Sequence, residues 1–233
     1  MAIKKQAIVC HSGGMDSSIC LALAIREFGA ENVLSMSFSY GQRHSIELTQ
    51  SAKICQAWQV DHVVLNVGCL QEITESALIG SKLAIKHEAG QVAPTTLVVG
   101  RNGLMGRLAA IHADHIGANC IYMGVIEVES ASSGYRDCSR AYMDLLQEIL
   151  RIDLDNSQFE IRTPVVGMTK CETMEVAAEL GILEFLLMET VTCYRGILHA
   201  GCNDCAACHL RNQGSREFLH AHSDFIMPYQ LPN

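Results

Sequence analysis

The segment Ser12-Gly13-Gly14-Met15-Asp16-Ser17 holds the densest set of potentially reactive groups in the chain. Its paired glycines permit a tight turn and bring the backbone close to a ligand with no Cβ in the way. Backbone N–H groups at the start of a following helix face an anion, and Ser12 and Ser17 add hydroxyl donors. Asp16 repels a bare phosphate, so it reads as a ligand for Mg²⁺ that bridges phosphates. The plainer alternative is a strand-to-helix turn capped by Asp16 and Ser17. The chain lacks the Gly-x4-Gly-Lys-Ser/Thr loop of kinases and GTPases. Phosphate contacts are expected along His11, Ser12, Gly13, Gly14, Met15, Asp16, Ser17, Ser18, Ile19, Cys20 and Leu21.

Four cysteines near the C-terminal end, Cys193, Cys202, Cys205 and Cys208, follow the spacing C-x8-C-x2-C-x2-C. Four thiolates this close can complete a tetrahedral Zn²⁺ shell with no open position, a structural rather than catalytic arrangement. The rival is an iron–sulfur cluster, because ferredoxins share the C-x2-C-x2-C run. Here Cys208 is followed by His209-Leu210-Arg211, without the C-x3-C-P continuation. His199 and His209 lie beside a shell that four cysteines already fill. His11, His44, His62, His87, His112 and His115 read as satisfied polar groups rather than metal ligands.

Further segments accompany these two motifs. They are Tyr40-Gly41-Gln42-Arg43-His44, Gly100-Arg101-Asn102, Gly124-Val125 with Glu127, Ser133-Gly134-Tyr135 before Asp137-Cys138, and Thr192-Cys193-Tyr194. Cys205-Ala206-Ala207-Cys208-His209-Leu210-Arg211 completes the set. The Ser-Gly-Gly-x-Asp-Ser order resembles the PP-loop of the ATP pyrophosphatases. The whole set resembles the 7-cyano-7-deazaguanine synthases of queuosine biosynthesis over nearly the full length.

That resemblance implies a zinc-containing, ATP- and Mg²⁺-dependent ligase. It would split ATP to AMP and pyrophosphate and convert 7-carboxy-7-deazaguanine and ammonia to the nitrile through an amide. It also implies a homodimer. By residue type, Asp16, Ser17, Arg43, Arg101 and Lys170 form the expected catalytic set, the cations neutralising phosphate or carboxylate. Tyr40, Gln42, Arg43, His44, Asn102, Glu127, Tyr135 and Asp137 are the expected substrate contacts. Glu127 and Asp137 would accept from the N–H edge of a guanine-like base on which Tyr135 stacks. The chain departs from the family pattern in two places. Val99 stands where a Pro is usual. The stretch from Glu127 to Ser139 is two residues longer, lacks the usual Phe and Pro, and has Ser139 for Arg. A ligase that stops at the amide, or adenylates another acceptor, stays open.

These residues need a frame that brings them together. Short apolar runs alternate with helical patterns: strands at Ala7–Cys10, Val33–Phe38, His62–Val67, Cys120–Val125 and Phe159–Thr163. Helices are expected at Met15–Phe28, Ser45–Trp58, Arg101–Ile116, Ser139–Ile152 and Lys170–Leu180. This alternation predicts an α/β fold, a doubly wound and mostly parallel sheet of the adenine nucleotide alpha hydrolase type. Ligands in such sheets sit at the carboxyl ends of the strands. Gly68 to Gly100 reads as a long active-site loop. The alternation stops near Glu184 to Met188, which divides the chain into a PP-loop domain, 1–187, and a small zinc-binding lobe, 188–233.

Composition narrows the classes. The 233 residues are 49% hydrophobic with a net charge of −8, a globular profile with no broad basic surface for a stable nucleic-acid partner. Few basic residues and few aromatics argue against a zinc-knuckle nucleic-acid module. No run approaches the roughly 18 apolar residues of a membrane span. No export signal is evident, so the remaining cysteines are expected to be reduced thiols of a cytoplasmic protein.

Overall fold

Ala7-Ile8-Val9-Cys10 is apolar throughout, as a strand buried on both faces must be. It forms the central strand, β1 (Ala7–Cys10), of an all-parallel sheet. The computed structural model describes residues 4–43, 45–79, 83–85, 94–127 and 134–232. The other strands are β2 (Val33–Ser39), β3 (Asp61–Asn66), β4 (Cys120–Met123) and β5 (Glu160–Arg162), in the order β3-β2-β1-β4-β5. Ala7 pairs with Val33 on one side and Cys120 on the other. The helices are α1 (Met15–Phe28), α2 (Ile46–Ala57), α3 (Leu70–Ile73), α4 (Arg101–Ile116), α5 (Arg140–Asp153), α6 (Lys170–Glu179), α7 (Leu183–Glu189) and α8 (Ala206–Ala221).

Side chains alternate across the strands and build two cores. Val9 packs with Ile19, Met174, Leu186 and Phe218 on one face. Ile8 packs with Leu34, Ala110, Met143 and Phe159 on the other. β2 is split the same way. Met36 and Phe38 enter the second core, while Ser35 and Ser37 are fully buried beneath α1 and α2. The alanines of α4, Ala109, Ala110 and Ala113, have no exposed surface and let that helix lie close on the sheet.

The two sheet edges differ. β3 exposes Val63, Val64 and Leu65. β5 is sealed by α5: Gln147 accepts from Ile161 N–H, Arg140 donates to the Ile161 carbonyl, and Arg151 donates to the Phe159 carbonyl. Side chains thus take the backbone groups that would otherwise recruit another strand.

Every strand and helix expected from the alternation is present, with ends within about two residues. Helices α3, α7 and α8 were not expected. The anticipated boundary at Glu184–Met188 falls inside α7. The segment beyond it joins the first core through Phe218, with Phe225, Met227 and Tyr229 packed alongside. No described helix is long and apolar enough to cross a membrane.

Candidate active site

The loop after β1 is held by its own hydroxyls. Ser17 Oγ donates to the Gly14 carbonyl at 3.0 Å and takes the Ser12 N–H at 3.1 Å. Gly13 has φ +80°, and a Cβ there would meet the Glu47 carbonyl oxygen at 2.4 Å. Only glycine fits that contact and that dihedral. From the far side, Val191 N–H donates to the Gly13 carbonyl. The loop is therefore clamped between α2 and the segment after α7.

Above it opens a cavity of about 300 Å³, within the range of small-ligand sites. It lies at the carboxyl ends of β1, β2 and β4, where Cys10, Phe38 and Met123 form part of its wall. Loop residues such as Tyr40 and Tyr194 add to it, and so do the first turns of five helices: Asp16 of α1, Glu47 of α2, Arg101 of α4, Lys170 of α6 and Ala207 of α8. Each helix start carries partial positive charge and unpaired N–H groups, so their convergence favours an anion.

Lys170 and Asp16 form an ion pair at 2.5 Å that is largely buried. A reciprocal capping box between Thr169 and Glu172 fixes the start of α6 and hence Lys170. The other Asp16 oxygen, Oδ1, is buried without a hydrogen-bond partner. Such an orphan acceptor is rare in a folded protein, and a carboxylate oxygen of this kind is able to take a cation. Arg101 lies 5.6 Å over the Tyr40 ring and donates to its hydroxyl at 3.4 Å. Burial works against the Arg101 charge, but Tyr40, Glu47 and Asp137 outweigh it and its pKa rises. Burial raises the pKa of the Tyr40 hydroxyl.

The cysteine cluster sits against the same cavity. The sulfurs of Cys193, Cys202, Cys205 and Cys208 all lie within 4.8 Å of one another. Cys193, Cys205 and Cys208 are buried, and a Cβ at Gly201 would meet Cys208 Sγ at 2.4 Å. Four converging thiols in a glycine-lined cradle can hold a metal ion. Tyr194, next to Cys193, and Leu210, two residues past Cys208, both line the cavity. The metal cradle and the loop therefore share a wall.

Comparison with known proteins agrees with this arrangement. The family model for "Queuosine biosynthesis protein QueC" matches residues 6–219. The chain belongs to that family. It is accordingly an ATP-using ligase of queuosine biosynthesis. Its fold is similar to an NH3-dependent NAD synthetase from Campylobacter jejuni, at 16% identity, TM-score 0.50, covering 98% of this chain and 90% of that one. An NMN synthetase from Francisella tularensis is similar at 11% identity and TM-score 0.48, covering 99% and 90%. A 4-thiouridine synthetase solved with RNA and bound ATP is similar at 17% identity and TM-score 0.48, covering 94% of this chain and 53% of that one.

The expected site residues fall in different places. His11, Ser12, Gly14, Met15, Asp16, Ser17, Tyr40, Gln42, Arg101, Asn102 and Lys170 line the cavity. Gly13 shapes the loop from behind, while Ser18, Ile19, Cys20 and Leu21 are buried under it in α1. Arg43 is outside the cavity wall, exposed, and donates to the Leu83 carbonyl. Glu127 and Asp137 act at helix starts: Glu127 accepts from Arg140 N–H of α5, and Asp137 from Asn102 N–H of α4. Tyr135 bonds Thr96 and Tyr194 rather than lining the cavity. His44, and the stretch 128–133, lie outside the described residues.

Sequence reading missed Glu47, Met105, Val191 and Leu210, which also line the cavity. Glu47 opens α2, where an acidic first-turn residue reads as a helix-start preference. Its place opposite Arg101 was not legible. A larger groove of about 820 Å³ lies at the β5 edge, lined by Arg26, Arg140, Arg151 and Arg162. Arg162 already binds Glu27 and Glu160, Arg140 binds Asp144, and Arg151 binds Glu148. That groove lies along the sheet edge and lacks the loop, so the smaller cavity is the candidate site.

Proposed function

We propose that this chain converts 7-carboxy-7-deazaguanine and ammonia to 7-cyano-7-deazaguanine, splitting ATP to AMP and pyrophosphate. The observation that carries the reading is the cavity where the Ser12–Ser17 loop, Arg101 and Lys170 converge with the orphaned Asp16 oxygen. A carboxylate is a poor electrophile. Attack by its oxygen on the α-phosphate gives an acyl-adenylate, and ammonia then displaces AMP to leave the amide. A second ATP adenylates the amide oxygen, and loss of AMP leaves the nitrile. Both rounds need an α-phosphate held for attack and cations to take up charge on the departing pyrophosphate. Lys170 and the helix starts supply that charge, and Arg101 holds an anionic group of ATP or the acid. Asp16 fits as the Mg²⁺ ligand, and a bound ion would supply positive charge to the phosphates.

Zn²⁺ suits the Cys193, Cys202, Cys205 and Cys208 shell, where it would fix the wall carrying Tyr194 and Leu210. One observation favours a second reading, a ligase that stops at the amide or takes another acceptor. Glu127 and Asp137, expected to read the base edge, are engaged at helix starts.

The test is direct. Purified chain is incubated with ATP, Mg²⁺, ammonium and 7-carboxy-7-deazaguanine, and AMP and products are measured by mass. The nitrile with about two AMP per product, one for each adenylation, is expected. The amide alone, or AMP only with another acceptor, would replace the nitrile assignment with the second reading. Iron and acid-labile sulfide in the purified chain would overturn zinc.

A further inference from the structure

His11 is 1% exposed, directly beneath the loop, and the reaction described above does not use its ring. Its two nitrogens bridge different elements. Nδ1 is 3.1 Å from Ser35 Oγ of β2, and Nε2 is 3.0 Å from Ser18 Oγ of α1. The proton positions follow from counting donors. Ser18 Oγ lies 2.8 Å from the Gly14 carbonyl, which can only accept, so the Ser18 proton points there. With its proton there, Ser18 offers His11 a lone pair, and we assign the hydrogen to Nε2. Burial keeps the ring neutral, with its pKa lowered to about 3. Nδ1 is then bare and faces two donors, Ser35 Oγ and the Cys55 thiol, whose sulfur lies 3.6 Å away. The ring is locked in one tautomer and one orientation.

This chain of bonds ends on one peptide. The Gly14 carbonyl accepts from Ser18 Oγ at 2.8 Å, Ser17 Oγ at 3.0 Å and Ser18 N–H at 3.1 Å. In a trans peptide the next N–H points opposite to that carbonyl. Pulling the Gly14 oxygen down into α1 therefore turns the Met15 N–H up, toward the cavity that Gly14 and Met15 line. That N–H is one of the donors an anion at the helix start requires.

We infer that His11 is a positioning residue: through Ser18 it orients the Gly14–Met15 peptide so that its N–H is presented to the nucleotide phosphates. The inference rests on the ATP part of the proposed function and not on the acceptor. The Ser35–His11–Ser18 relay also ties the loop to β2, so the donor is oriented before ligand arrives. Such pre-orientation lowers the cost of ordering on binding.

Binding of Mg²⁺ with α,β-methylene-ATP to the full chain, measured by calorimetry, needs no acceptor and no turnover. His11→Asn places its amide near the Nδ1 position and leaves Ser18 without its donor. His11→Gln reaches toward the Nε2 position and restores one. The expected results are a roughly tenfold weaker Kd for His11→Asn, about the worth of one hydrogen bond, and a Kd within about threefold for His11→Gln. Ser18→Ala, a milder change, should also lose about tenfold. The double variant should be no weaker than either single one, because both break the same relay. If His11→Asn misfolds, as its melting curve would reveal, Ser18→Ala decides alone.

Affinity within twofold of the unchanged chain in Ser18→Ala would overturn the inference. So would additive losses in the double variant, or a His11→Gln protein as weak as His11→Asn. Failure of the unchanged chain to bind nucleotide would overturn the ATP reading and this inference together. Nucleotide binding without nitrile formation would overturn only the acceptor.

Discussion

A histidine held neutral in the core makes stability depend on pH with a definite sign. His11 titrates at about 3 in the folded chain, because burial disfavours the charged ring and the His62 charge adds to that. An unfolded chain returns it to about 6.5. Between those values the unfolded state binds more protons, so stability falls as pH drops. Above about 6.5 the full contribution is present. At pH 5 the loss is about 1.5 pH units at 1.36 kcal/mol each, or roughly 2 kcal/mol. For a domain of this size that is roughly 4–8 °C in Tm. The assay is urea unfolding of the unchanged chain and His11→Gln at pH 7.5, 6 and 5. His62, whose pKa burial also lowers, and the cysteine cluster are present in both proteins, so their contributions cancel. The unchanged chain should lose about 2 kcal/mol more than the variant between pH 7.5 and 5. Parallel losses in the two proteins would refute the assignment of a neutral, buried His11.

Asp16→Asn keeps the size of the side chain but removes the charge that faces both Lys170 and the orphaned site. It should cut AMP formation by roughly 100-fold or more while the melting curve stays cooperative; undiminished turnover would refute the metal role of Asp16. Gly124→Ala places a Cβ 2.6 Å from Ser17 N, a backbone atom that cannot swing away. It should weaken nucleotide binding at least about tenfold, and unchanged affinity would show that the loop is not held against the β4 end. Cys205→Ser removes one buried thiol of the four-sulfur cradle. Metal content by mass spectrometry should fall below half, and the unfolding free energy should drop by more than about 3 kcal/mol, as loss of a structural site does.

The frame was legible because it is repetitive. The run Ala7–Cys10 has no polar residue, and Val33–Ser39 alternates, so each declared its burial without any partner being known. Asp16, Lys170 and the four cysteines were legible because few other roles suit those types at that spacing. What was not legible depends on which lone group another element claims. Asp137 and Asn102 are far apart in the chain, yet the carboxylate takes that residue's N–H and anchors the start of α4. Glu127 is claimed by α5 in the same way. A carboxylate near a predicted pocket and a carboxylate at a helix start have the same sequence signature. Helix α8 was hidden by the cysteines at its start, which read as a metal loop rather than as a first turn.

Convergence of helix starts also ties the tail to the cavity wall. α1, α2 and α4 alone leave the cavity open on the side of Asp16. Lys170 closes that side only because α6 is pressed against α8, where a Cβ at Gly214 would meet Lys170 Cβ at 2.5 Å. α8 in turn begins at Cys205 and Cys208, inside the metal cradle. A metal bound there would set the start of α8, α8 the position of α6, and α6 the cation opposite Asp16. The ion would act at a distance, through packing, on Lys170, which faces the Ser12–Ser17 loop. Removing it should therefore reduce AMP formation before it unfolds the sheet, because the second core, around Ile8, Met143 and Phe159, contains no part of α6 or α8.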